Sequence, residues 1–395
     1  VETPGPGFAW ADSSTKGLRL YQMAVRVAAA YDWCVSAEAW DESFVYSISK
    51  ALLDQAEVII EDGGSEQNSS PASNWQGARG SGGGLALLAT DHEYAAELLD
   101  RGHQKTVAYL NANLGNDAST QGWTPEGLGY FGYPMGDFVG PYGVAMARHD
   151  PTADLRDHIG LSRSFASIFT NFSKALNVLD YGGMKLDWAD DHTHTRGNGA
   201  YNLAFHYADP DLIPGIKYWY DRTHGTVETD RARWDELRGG PIWGYLFYPE
   251  DLTAVNPLEI LEYVETFHDD GAQGIGMFTF REEFEDGNDN LAQFHARTRH
   301  PGGHNGPDGL GFRVIAEGNP FVVGGGRGAP GRLEGQTTLY PAEPFVDTIA
   351  VNTKTGVIEN AQVKTEGGGH VIARMDQNNV GVFNHKRWFV ADYDE

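Results

Sequence analysis

Residues 74–84 read NWQGARGSGGG and residues 123–143 read WTPEGLGYFGYPMGDFVGPYG. The first run opens a Gly/Ala-rich helix that continues into GLALLAT. The second is packed with Gly, Pro and aromatic residues, a composition that neither sustains a helix nor pairs cleanly as a strand. It is therefore expected to be a loop, and loops held by a rigid scaffold line clefts. A third short run, GHNGPD (303–308), is again turn-rich. The remainder of the chain reads as a frame for these three stretches.

Upstream, residues 17–35 (GLRLYQMAVRVAAAYDWCV) carry apolar side chains at helical spacing. Residues 41–64 start at Asp41, a candidate cap, and stop at a Gly pair, so a second helix is expected there. HEYAAELLDRGHQKTVAYLNANL pairs with the helix after Asn74, residues 143–179 supply two more, and three shorter helices follow before residue 240. Near residue 260 the period changes. From GIGMFTFREE onward, alternating residues are punctuated by Gly, Asn and Asp turns, the pattern of an antiparallel sheet. The expected class is α+β: a helical domain over 1–258, its successive hairpins suggesting an (α/α) toroid, then an antiparallel β domain over 259–395.

The chain's 395 residues are enough for two domains with a large core. Its 29 Lys+Arg against 55 Asp+Glu give a formal net charge of −26. Such a surface repels nucleic acid and anionic lipid, so neither is expected as a partner. Only 9 of the basic residues are Lys, a balance that fits either an acidic secreted protein or one soluble at high salt. Cys34 is the only cysteine, which rules out an internal disulfide and a cysteine-based metal cluster. No apolar run reaches membrane-spanning length, and the sequence opens at Val1 without a signal-peptide pattern.

Four motifs occur in a fixed order: AAYDWCVSAEAWDES (29–43), the NW that opens the glycine helix, WTPEGLGYFGY (123–133), and GGHNGPDGLGFRVIAEGNPFVVGGG (302–326). Together they resemble the heparinase II/III-like polysaccharide lyases, whose incomplete (α/α) toroid precedes an antiparallel β domain. The resemblance implies β-elimination on an anionic polymer of 4-linked uronic acid, without a cofactor, in a secreted or periplasmic protein. It places Asn74 where the family holds the substrate carboxylate, Tyr130 on the catalytic tyrosine, and His304 on the first histidine of an HNHND-like motif. Gly306 stands where that motif has its second histidine, so no metal is expected at the His304 loop.

The residues themselves are compatible with that chemistry. Removing the proton on C5 puts further negative charge on a carboxylate, and a hydrogen-bond donor such as the Asn74 amide stabilises it. Tyrosine and histidine can divide the acid and base roles according to their surroundings. Trp75, Arg79, Glu126, Tyr133, Tyr142, His192, His194 and Arg196 are the candidate substrate contacts. Each has a plainer reading. Asn74 can cap the helix with Trp75 in the core; Tyr130, Tyr133 and Tyr142 can be half-buried aromatics or a stacking platform; His304 can be a turn residue. His192 and His194 in DDHTHTR are two apart, as metal ligands on a strand would be, or lie in a polar loop. Carboxylates such as Glu126, Asp190 and Glu282 keep a glycoside hydrolase open as an alternative, beside a non-catalytic glycan-binding protein.

Overall fold

The computed structural model describes residues 18–36, 39–62, 70–90, 95–116, 122, 124, 126–173, 184–185, 199–223, 240–260, 275–297, 310–322, 357–363, 368–377 and 383–393. The chain is α+β, with helices first and antiparallel sheets after. It divides into two compact units, Val1–Ala112 with Tyr133–Leu155, and Asn113–Gly132 with Arg156–Glu395.

In the first unit, helices α1 (Leu18–Cys34), α2 (Glu42–Glu57) and α6 (Gly140–His149) pack on α3 (Asn74–Leu88). Asp41 caps α2 as its position predicts: its side chain accepts the Phe44 N–H at 2.8 Å. Helix α3 is chosen by packing rather than propensity. Each interior glycine costs a helix up to about 1 kcal/mol, and α3 carries Gly77, Gly80, Gly82, Gly83 and Gly84. All five are buried, because the neighbours come too close for a side chain. A Cβ on Gly77 would lie 2.6 Å from the Tyr109 ring, and one on Gly80 would lie 2.8 Å from the Gly102 carbonyl, both residues of α4 (Ala95–Leu114).

Two π-helical turns flank this glycine helix. Val58–Asp62 extends α2, and Met135–Val139 separates α5 (Leu128–Pro134) from α6. Residues 128–143, expected to be a loop, are thus helical throughout, and α6 continues to His149 in the stretch expected to be helical. The prolines explain the form this takes. Pro134 has no N–H and crowds the carbonyl four residues back, so the regular ladder cannot pass it and the next turn widens. Pro141 stands where the π-turn passes into α6.

In the second unit, α7 (Ile159–Thr170) is capped by the buried His158 and ends at Asn171. The expected helix to residue 179 stops there, and a two-residue strand β1 (Phe172–Ser173) pairs with β2 (Met184–Lys185). Short helices α8 (Ala204–Tyr207), α9 (Ile213–Thr223) and α10 (Gly240–Phe247) follow. The last described helical turn, Pro257–Glu259, precedes the larger sheet, ordered β3 (Ile275–Arg281), β4 (Leu291–Arg297), β5 (Phe312–Ala316), β6 (Asn319–Val322). A three-stranded sheet, β7 (Val357–Val363), β8 (Gly369–Gln377), β9 (Phe383–Ala391), lies against it. Phe278, Phe280 and Phe294 of the first sheet meet Val371, Ala373 and Ala391 of the second in one apolar core.

The α7 end is tied to the sheet by buried polar groups. Asn171 Oδ1 accepts from Thr279 Oγ1 at 3.1 Å and Gln293 Nε2 at 2.7 Å. Arg281, 1% exposed, donates to the Thr170 carbonyl and to Asp289, both at 3.0 Å, with its guanidinium over the rings of Trp219 and Phe284. A buried charge is tolerable only when paired and hydrogen-bonded in this manner. Among the described residues no helix is long and apolar enough to cross a membrane.

Candidate functional site

Asn74 is the first residue of α3 but not its cap. Ser73 holds that position in an extended conformation, its hydroxyl accepting the Trp75 N–H at 3.4 Å. Asn74 is 1% exposed, whereas Trp75 is half-buried.

Two expected substrate contacts have structural employment instead. Arg79 is 4% exposed and lies under the π-turn after α2, donating from Nε to the Ile59 carbonyl at 2.9 Å and from Nη2 to the Ile60 carbonyl at 2.7 Å. The wide turn leaves carbonyls that the α-ladder no longer serves, and a guanidinium fork fits two of them. Tyr142 is fully buried, its ring where a Cβ on Gly84 would be, so it has no open face for a sugar. Its hydroxyl lies 3.2 Å from His103 Nδ1. Burial lowers the His103 pKa, and it raises that of Tyr142 further above the usual tyrosine value. Near neutrality the pair is thus an uncharged hydrogen bond.

Tyr133 keeps some exposure. Its ring meets Phe138 edge to face, and its hydroxyl accepts from Gln22 Nε2 at 3.3 Å. Tyr130, on α5 rather than in a loop, is half-buried, and Glu126 just before that helix is 1% exposed. These two belong to the second unit, while Asn74, Arg79, Tyr133 and Tyr142 belong to the first. His304, His192, His194 and Arg196 lie outside the described residues. Among the described residues, no group of three or more His, Cys, Asp or Glu side chains could hold a metal ion.

The second unit also contains a polar cluster that the motifs did not single out. Lys217 Nζ on α9 donates to Tyr248 Oη at 2.6 Å and to Asp221 at 3.2 Å, and Tyr248 Oη donates to the other Asp221 oxygen at 2.5 Å. The ammonium also sits 4.4 Å from the Tyr248 ring centroid. Phe205 and Tyr220 pack against that ring. The i, i+4 spacing of Lys217 and Asp221 was visible in IKYWYD, but Tyr248 comes from beyond α10 and carries no local signal. Every charge in the cluster is answered within it, so its chemistry is that of a clamp holding residue 248 on α9.

In comparison with known proteins, the sequence matches no protein-family model and no curated protein.

Proposed function

We propose that the chain is a polysaccharide lyase acting on a 4-linked uronate polymer, its helical hairpins forming part of an (α/α) toroid. Asn74 donates to the uronate carboxylate. Tyr130 and His304 share the removal of the C5 proton and the protonation of the departing C4 oxygen. The C5–H electron pair becomes the C4=C5 double bond as the C4–O bond breaks, leaving an unsaturated uronate at the new non-reducing end. Electrostatic stabilisation of the charge building on the carboxylate is the largest demand of such a step.

The observation that carries this reading is at the start of α3. Capping was the plain explanation for an asparagine before Trp75, and Ser73 takes that role. With the cap assigned to Ser73, Asn74 in the next position keeps the role that the resemblance gives it, holding the substrate carboxylate. The half-buried Tyr130 in EGLGY and the order of the four motifs support the same assignment. A screen of uronate polymers for new ultraviolet absorbance tests it. Elimination creates a conjugated unsaturated acid, whereas hydrolysis and simple binding create none. Reducing ends without the chromophore would transfer the chain to the hydrolases.

A further inference from the structure

Tyr142 of α6 is fully buried, and a buried hydroxyl needs an acceptor for its proton. Among the described residues, the one hydrogen-bond partner of its oxygen is His103 Nδ1 on α4, 3.2 Å away. That pairing fixes the tautomer. The hydroxyl proton has an acceptor only if Nδ1 is bare, so the neutral ring carries its own proton on Nε2. The bond also ties together two helices that rest on a third. Gly80 of α3 admits the α4 backbone at Gly102, and Gly84 of α3 admits the Tyr142 ring.

A proton taken from solvent changes this bond at one atom. It binds Nδ1, which becomes a donor. The Tyr142 oxygen can accept that N–H, but its own proton is then left in the core without an acceptor. A stranded buried donor is costly, and so is a charge on a half-buried ring. The surrounding charges moderate this without reversing it. Burial holds the His103 pKa below the ordinary histidine value, outweighing Asp100 on the same helix and Asp150 just past α6, which both favour the charged ring. Asp100 is engaged by Gln104 Nε2 at 2.7 Å, and Asp150 by the Thr152 N–H at 2.9 Å and by the charge of His149. Arg101 of α4 is taken up by Glu61 and Glu97. Arg79, the only charged residue of α3, is turned to the Ile59 and Ile60 carbonyls. We propose that His103 is a proton-operated latch between α4 and α6: neutral, it accepts the Tyr142 hydroxyl and holds α6 in place; protonated, it strands that hydroxyl and loosens α6. The ring binds a proton more readily once unlatched, so the stabilisation is complete above about pH 6.5 and is lost as pH falls. The latch involves no substrate and is independent of the lyase reading.

Hydrogen–deuterium exchange of the full chain at about pH 7.5 and about pH 5, corrected for the chemical exchange rate, reads the latch. The amides of α6 should lose protection on acidification of the wild type. His103→Gln offers the hydroxyl a carbonyl acceptor that does not titrate, so this loss should be absent from it. A second measurement does not depend on that variant folding. In labelled wild type, the assigned His103 NMR resonance should titrate below the ordinary histidine value. Tyr142→Phe keeps the aromatic ring and removes the hydroxyl that favours neutral His103, so the same resonance should then titrate at higher pH. Three results would each overturn the proposal: an equal loss of α6 protection in wild type and His103→Gln, a His103 resonance titrating at or above the ordinary value, or one that Tyr142→Phe leaves unmoved.

Discussion

Arg79 of the glycine helix donates to the carbonyls of both Ile59 and Ile60, at 2.9 and 2.7 Å, and so holds the π-turn that ends α2. The side chain is 4% exposed, and its fork replaces the bonds that a regular helix would supply. Removing it strands two buried carbonyls. Arg79→Ala is expected to cost about 3 kcal/mol or more of unfolding free energy, read by urea titration. Arg79→Lys should recover only part of this, because an ammonium cannot span both oxygens in one plane. A stable variant with weakened polymer binding would return Arg79 to the substrate contacts.

Gly77→Ala is expected to destabilise the protein although alanine is the better helix former. The propensity gain is about 1 kcal/mol, but the new methyl would sit 2.6 Å from Tyr109 Cε1, a ring 2% exposed. Overpacking of a closed site costs roughly 1–3 kcal/mol, so the net should be a loss. A raised urea midpoint would show that α3 and α4 do not meet as described.

His158 makes stability depend on pH in a definite direction. Burial pushes its pKa down to about 4, and its Nδ1 accepts the Leu161 N–H at 3.1 Å, which only the neutral ring can do. The unfolded chain, with an ordinary histidine, binds the proton first as pH falls. The contribution is therefore complete above about pH 6.5 and is lost progressively down to about pH 4, amounting to roughly 3 kcal/mol. Asparagine is a good cap that does not titrate, so His158→Asn should keep α7 while flattening this part of the profile. Equal slopes for the two proteins between pH 6.5 and 4.5 would show that His158 is not buried neutral.

Asn74→Ala and Ser73→Ala should separate catalysis from capping within two adjacent residues. Losing the cap should cost about 1 kcal/mol of stability and leave turnover intact. Losing the Asn74 amide should slow elimination by about a hundredfold or more, since its bonds strengthen as charge develops. If the rate follows Ser73 instead, Asn74 leaves the site.

Tyr130→Phe should keep polymer binding and lose nearly all turnover, because only a proton carrier is removed. Initial rates and gel retardation measured on one preparation check this. An effect confined to apparent affinity would make Tyr130 a stacking residue and leave the half-buried Tyr133 as the alternative.

What the sequence determined alone was whatever depends on neighbours along the chain. The apolar period of α1 and α2, the Asp41 cap, and the alternation of β3, β4, β5, β8 and β9 are local patterns, and each was legible. The exceptions have physical causes. Strand β7 reads VIENAQV and carries a bulge, so its alternation is broken where Glu359 is inserted. Residues 128–143 look like a loop because Pro and Gly disfavour helices locally; burial of Phe131, Met135, Phe138 and Tyr142 outweighs that preference, and a π-turn absorbs Pro134. Side-chain roles depend on partners distant in sequence. Nothing around Arg79 announces two carbonyls twenty residues back, and nothing around Tyr142 announces Gly84 and His103. The same holds for Asn74, whose role as a cap turned on which of two adjacent residues takes the extended conformation. Local propensities of about 1 kcal/mol per residue propose the elements; the burial of whole side chains, worth two or three times more each, decided which elements form and which polar groups they leave for chemistry.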